Sequence, residues 1–300
     1  MTAGLVIAAG TLTPLARGAS RDSASAVASS AVLTLRVSRS SPSDLELSGD
    51  LPGVGRGGRR YLTRDDLLSL PQVTYTVTDD ANFTGATQVS GVLLEELREK
   101  LGAAPGAMVV AVCNDQYRAN YPRSYIASHH PLLVLKVNGQ PPEGWPKDSE
   151  AHRYDMGPFM ISHAKFSPSF RIFEHVDEAQ IPWAVFRLEF RDEAAVFKAI
   201  QPRGPRATDE LVREGYRIAQ QNCFRCHNNG AEGGTRSGHP WLVLSAWATA
   251  RPEYFAAYVR DPQAQNSQAQ MRGNPTYDEK TIGALAAYFR TFSCPTPVKP

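Results

Sequence analysis

The five residues Cys223-Phe224-Arg225-Cys226-His227 constrain this chain more than any other stretch. Two thiols three positions apart, followed at once by an imidazole, can grip a single porphyrin. Each thiol reaches one vinyl group, and the histidine is then fixed beneath the iron as an axial ligand. A segment of this kind has to fold around a macrocycle. Two other readings of Cys-x-x-Cys stand beside this one. A dithiol redox pair needs a strand before it and a helix after it, and that context is missing here. A zinc site needs two more ligands, and with no second cysteine pair nearby His227 and His239 would have to complete it. The full five-residue register favours covalently attached haem c.

A sixth iron ligand is expected later in the chain. Met271 is the only methionine after residue 160, and it lies in the polar run Gln265-Asn266-Ser267-Gln268-Ala269-Gln270. That run has no helical face for a core methionine to join. His239 is the rival, close to His227 and directly before Pro240. A thioether ligand raises the reduction potential relative to two histidines and closes the iron to small ligands, which suits an electron carrier. Cys223, Cys226, His227, Pro240 and Met271 are therefore the expected cofactor-binding residues, with His227 and Met271 on the metal and no catalytic residue assigned.

Residues of about 208–293 resemble class I cytochromes c. Gly215 and Tyr216 match the family's Gly-x-x-x-aromatic region, which packs against the last helix. Pro240 matches the proline whose carbonyl accepts a hydrogen bond from the axial histidine. The run from Pro252 to Pro262 resembles the third helix, and Leu285-Ala286-Ala287-Tyr288-Phe289 the aromatic-bearing last helix. One departure stands out: many relatives carry proline directly after the ligand methionine, whereas this chain has Arg272.

A chain of 300 residues suggests two domains. With 42% hydrophobic residues there is enough apolar material for two cores, and a net charge of +2 gives no case for nucleic acid. No stretch approaches the roughly 18–20 apolar residues of a membrane span. Leu5-Val6-Ile7-Ala8-Ala9 and the small residues after it read as a signal peptide or a disordered N-terminus over 1–30, although no basic residue precedes the run. With the haem motif, this points to an exported, periplasmic protein. Cys113 ends the apolar run Met108–Cys113 and reads as a buried strand residue. It could pair with Cys294 only if the fold brought the two together.

The pattern over 32–192 is mostly β with short helices. Strands are expected at Leu33-Thr34-Leu35-Arg36-Val37, Val73–Thr78, Met108–Cys113, Leu132–Val137, Phe159–Ile161 and Val185–Phe190. Thr63 is placed to cap a helix, and a second helix is expected over Leu93–Leu101, stopped by Gly102. Asn138-Gly139 marks a hairpin turn. Residues 193–207, with Pro202, Gly204 and Pro205, read as a linker. Helices follow at Asp209–Gln221, Pro252–Arg260 and Asp278–Thr291, within a domain bounded at 208–296. The expected class is α+β: a mixed, mostly-β domain followed by an all-α domain.

The first domain resembles the molybdopterin-binding domain of the sulfite oxidase family. The resemblance is carried by the run from Tyr61 to Pro71, by Ser90-Gly91-Val92-Leu93-Leu94-Glu95-Glu96-Leu97, by Asp115-Gln116-Tyr117-Arg118-Ala119, and by Leu132–Pro142. In catalytic members a cysteine ahead of the Gly-Val-Leu-Leu segment binds molybdenum. Here the stretch Thr76–Gln88 has none, so molybdopterin is not expected. His129, His130, His152, His163 and His175 have no metal-ligand spacing, and Asp79-Asp80 reads as a solvated turn. The expectation is a monohaem electron carrier rather than an enzyme. It would exchange electrons with a partner redox protein or a respiratory or photosynthetic complex, with the first domain as docking module or scaffold. The alternative is a sulfite dehydrogenase-like molybdenum enzyme that feeds its own haem.

Overall fold

The structure, a computed structural model, describes residues 33–146 and 155–293. The N-terminal 1–30, His152 and Cys294 lie outside the described residues. The architecture is α+β, as the pattern implied. The first part runs β1 (Leu45–Gly49), β2 (Arg59–Leu62), α1 (Arg64–Leu68), β3 (Val73–Val77), β4 (Thr87–Leu93), α2 (Leu94–Lys100), β5 (Ala107–Cys113), β6 (Arg118–Tyr121), α3 (Arg123–His129) and β7 (Leu132–Val137). It continues with β8 (Met160–Ser162), β9 (Arg171–Ile172), β10 (His175–Val176) and β11 (Val185–Asp192). The second part holds α4 (Glu193–Lys198), α5 (Glu210–Asn222), β12 (Asn228–Asn229), β13 (Glu232–Gly233), α6 (Trp241–Ala250), α7 (Pro252–Arg260), α8 (Pro262–Gln265) and α9 (Glu279–Arg290).

Two sheets organise the first part. One has the order β2-β1-β11-β5-β6, antiparallel except for the β1–β11 pair; the other, β3-β4-β7-β8, is antiparallel throughout. Their facing side chains make one core, in which Leu45, Leu47, Val109, Ala111 and Phe190 meet Leu133, Leu135, Phe159 and Ile161. Each of the larger chains, the leucines, Val109, Ile161 and the phenylalanines, contributes about 1.5–3 kcal/mol of apolar transfer.

Strand β5 is buried at all seven positions. Period-two geometry sends successive side chains to opposite faces, so an unbroken apolar strand needs cover on both. Val109 and Ala111 enter the inter-sheet core. Met108, Val110 and Val112 face the other way, into a second core with Val212, Ile218, Phe224, Trp241, Leu285 and Phe289 from the helical part. The helices are therefore docked on the back of the sheet and share its core. The span 193–207 takes part in this junction: α4 occupies its first half, Asp192 caps it through Ala195 N–H, and Val196, Phe197 and Ile200 are buried in the shared core.

Local signals account for several elements. Thr63 caps α1 in a reciprocal capping box with Asp66. Gly102, at φ +64°, ends the α2 region. Asn138 and Gly139, at φ +49° and +77°, make the tight turn after β7, which closes a single Val137–Gln140 bridge rather than a long hairpin. The expected first strand is corrected: Leu33 and Leu35 pack against the inter-sheet core, but around Leu33–Val37 only Arg36 pairs, in a single bridge with Tyr61, and Val37 is exposed, so no ladder forms. The strand that enters the sheet is β1. Helix α6 went unread because Trp241-Leu242-Val243-Leu244 is apolar on all sides and gives no helical period.

Candidate functional site

Helix α5 delivers the Cys-x-x-Cys-His motif. Its apolar stripe of Val212, Gly215, Ile218 and Ala219 is buried, and it crosses α9 at Gly215, where a Cβ would lie 2.0 Å from the Ala284 carbonyl oxygen. Only glycine allows this approach. Tyr216 and Tyr288 pack across the same crossing with ring centroids 5.7 Å apart. The helix ends at Asn222, and the chain continues in a tight turn in which His227 N–H donates to the Cys223 carbonyl at 3.0 Å.

The loop's other carbonyls are taken up around it. Gly234 N–H donates to Phe224 O (3.0 Å), Ser237 N–H to Cys226 O (3.0 Å) and Arg118 N–H, from β6, to Arg225 O (2.9 Å). The return strand comes so close that a Cβ at Gly234 would sit 1.9 Å from Arg225 O, and one at Gly233 (φ +93°) would sit 2.5 Å from His227 O. The Gly233-Gly234 pair is thus a requirement of the site. Its signal was in the sequence, as a glycine dipeptide shortly after the motif.

His227 is buried, and its Nδ1 lies 2.7 Å from the His239 carbonyl oxygen. A carbonyl can only accept, so Nδ1 carries the proton and donates; Nε2 keeps its lone pair and has no protein partner among the described residues. Burial lowers the imidazole's affinity for a proton, keeping it neutral, the form that ligates a metal. This corrects one expectation: the orienting carbonyl belongs to His239, one residue before Pro240. Pro240 lies at the N-terminal cap of α6, extended at φ −68° and ψ 167°, and sets where that helix begins.

Both cysteines are free thiols at half-buried positions. Burial raises Cys223 to about 12, and burial also raises Cys226. These are environments for uncharged sulfur. They suit neutral thioethers better than nucleophilic thiolates. Beside His239 stands a half-buried aromatic cluster: Trp247 is 4.8 Å from the His239 ring, 5.2 Å from Tyr254 and 5.4 Å from Tyr258. Two neutral sulfurs, an oriented imidazole with a free Nε2 and an adjacent aromatic wall are a donor set that fits a haem. Haem, when bound, supplies a one-electron Fe(II)/Fe(III) couple.

Met271 lies in the loop between α8 and α9, half-buried, with its carbonyl held by Gln263 Nε2 at 2.9 Å. The loop is tied to the motif through Asn274. Asn274 N–H donates to Val259 O (3.0 Å), and Asn222 Nδ2, directly before Cys223, donates to Asn274 Oδ1 (3.0 Å). The close approach of Gly273 to Arg260 O helps bring the loop in.

The first domain meets the motif through several contacts that sequence reasoning missed. Arg225 reaches Glu178 and Tyr117; Arg236 pairs with Asp115 at 3.2 Å; Thr235 N–H donates to Gln116 O. Gln221 is clasped between His175 (2.7 Å) and Asp177, and the other nitrogen of His175 faces Tyr277 OH at 2.5 Å. Asp177 also accepts from His129 Nε2 at 3.0 Å, and His163 Nε2 pairs with Tyr125 OH at 2.9 Å. Three histidines of the first domain are thus buried polar links, while His130 is exposed beside Glu95. No group of three or more metal-ligating side chains occurs among the described residues. Cys113 is buried at the end of β5, and burial pushes its thiol well up.

The stretch Thr76–Gln88 does not fit a pterin-bound metal. Asp80 is not in a solvated turn, as expected, but buried, accepting from Ser162 Oγ at 2.5 Å and Asn82 N–H at 2.9 Å. Burial raises its pKa. The cavity it lines with Asp79, His163 and Phe166 measures about 10 Å³, room for a single water at most. The stretch offers carboxylates and no thiolate.

These features define a haem-binding helical domain joined to a β domain. Residues 210–289 match the family described as cytochrome C oxidase, cbb3-type, subunit III. This part of the chain is a cytochrome c domain, and such a domain works in electron transfer. No curated protein matches the chain significantly. Among solved structures, the chain is similar to the sulfane dehydrogenase SoxCD from Paracoccus pantotrophus, at 16% identity and a TM-score of 0.34. That match covers 57% of this chain and 45% of the other, so it spans less than half of the SoxCD chain.

Proposed function

We propose that this protein is an exported monohaem cytochrome c that passes single electrons to or from a partner redox protein or complex. The hydrogen bond from His227 Nδ1 to the His239 carbonyl carries the reading, because it presents a neutral imidazole with Nε2 free next to two unpaired thiols. Cys223 and Cys226 would hold the porphyrin as thioethers, and His227 and Met271 would ligate its iron. The Asn222–Asn274 bond supports Met271, since it ties the methionine's loop to the attachment turn.

Export rests on the haem chemistry and on the apolar run Leu5–Ala9. No helix among the described residues is long and apolar enough to cross a membrane. The first domain serves as scaffold: it supplies Arg118, Tyr117 and Glu178 to the back of the attachment turn. The sulfite dehydrogenase-like alternative has no support from Thr76–Gln88, which contains no cysteine.

The test is the metal content of the full chain made in a host that attaches haem c. We expect about one iron per chain, no stoichiometric molybdenum, and haem that survives denaturation. Cys223→Ala should weaken or abolish that covalent stain. Colourless, iron-free protein would refute the haem reading, and stoichiometric molybdenum would revive the enzyme reading.

A further inference from the structure

Attachment needs only the two cysteines and the histidine of the motif, so the residues between the cysteines are chemically free. Phe224 is spent on the shared core. Arg225 instead places a guanidinium in the seam with the β domain, with 16% of its side chain exposed. Its Nε donates to Asn222 O (3.1 Å), Nη1 to Tyr117 OH (3.3 Å) and Nη2 to Asn222 Oδ1 (2.6 Å) and Glu178 Oε2 (2.5 Å). Glu178 is the only carboxylate paired with it among the described residues. The other charges nearby are committed elsewhere, Arg236 to Asp115 and Arg118 to Glu189.

We propose that Arg225 and Glu178 together set the reduction potential of the iron at His227, and that this is a redox role of the β domain. The inference rests on the proposed function, in that it takes iron to be bound there. Reduction of Fe(III) by one electron from the partner removes one positive charge from the site. A buried cation one residue from Cys226 and two from His227 favours the reduced state, and the carboxylate beside it offsets that preference. In the seam the pair is neutral overall. The β domain supplies the negative half, so it controls how much of the Arg225 charge the iron feels.

Spectroelectrochemical titration of the full chain tests this. Glu178→Gln keeps a hydrogen-bond acceptor for Arg225 but removes the charge. The ferrous-to-ferric ratio at fixed ambient potential should rise about three- to tenfold, a shift of about 30–60 mV at 59 mV per decade. Arg225→Gln should move it the opposite way and at least as far, because the Arg225 side chain is 16% exposed and adjoins the motif's ligands, while Glu178 is 38% exposed and screened by water. Glu178→Asp should stay within about twofold of the parent. Loosening of the attachment turn would admit water and favour the ferric state in every variant, so only the charge argument predicts a rise for Glu178→Gln. A fall, or a change under twofold, in Glu178→Gln would overturn the proposal. If that variant does not keep haem, an unchanged potential in Arg225→Gln would do the same. Haem staining after denaturation follows attachment separately. A parent protein without haem would overturn the functional reading itself.

Discussion

The same substitution placed in two touching helices should have opposite effects. Gly215→Ala puts a methyl group where the α5–α9 crossing has no room: its Cβ would be 2.0 Å from Ala284 O, 2.5 Å from Ala284 C and 2.8 Å from Tyr288 Cβ. Two of these neighbours are helix backbone and cannot rotate away, so the helices have to separate by more than an ångström. Overpacking of this kind costs typically 1–3 kcal/mol, and more where the obstacle is rigid. Better helix propensity of alanine returns about 1 kcal/mol. With rigid backbone as the obstacle the gross cost is about 3 kcal/mol or more, so the net expectation is a loss of about 2 kcal/mol or more. Gly283→Ala, in α9, meets nothing within 4 Å. It keeps the propensity gain alone and should stabilise by about 0.5–1 kcal/mol. Urea unfolding of the haem-loaded chain, followed by far-ultraviolet circular dichroism, measures both. We expect the midpoint to fall by about 1 M or more for Gly215→Ala and to rise slightly for Gly283→Ala. Gly215→Ala as stable as the parent, or Gly283→Ala less stable, would refute the claim that close helix contact fixes this crossing.

Met271→Ala should leave haem attached but remove the weak sulfur–iron absorption band near the red end of the visible spectrum; an unchanged band rejects Met271 as ligand. His163 is buried, and burial lowers its pKa to about 3, so between that value and its unfolded value of about 6.5 the folded chain binds fewer protons than the unfolded one. Stability should therefore fall as pH drops through this window, with His163 contributing about 1.4 kcal/mol per pH unit. His163→Gln should remove about one proton from the slope of unfolding free energy against pH between 6 and 4. An identical slope in the two proteins would argue against a buried neutral imidazole.

What could be read along the chain was what short-range spacing encodes. Thioether reach depends on positions 223 and 226 alone, and the capping box at Thr63 and Asp66 is likewise local. The errors arose where a neighbour distant in sequence decided the outcome. Asp80 looked like a turn residue until Ser162, far along the chain, enclosed it. The carbonyl that orients His227 was misplaced by one residue, because a backbone acceptor carries no side-chain signature. Gln221 ends the helix expected over Asp209–Gln221, and nothing near it in sequence signals that His175 and Asp177 hold it from the other domain.

Strand β5 separates the two kinds of information. Its unbroken apolar run Ala107–Cys113 already required cover on both faces, because alternating side chains leave neither face for water. The sequence by itself therefore determined that the strand is central, just as it determined the spacing of the two thiols and the imidazole in the Cys-x-x-Cys-His turn. Which surfaces cover it was decided only by tertiary packing: the second sheet on one face and the cytochrome helices on the other. Hydrophobic burial is non-directional, so an apolar pattern demands a partner without naming one. Shape and hydrogen-bond complementarity make the choice, and here they join the haem-bearing helices and the β domain through one core.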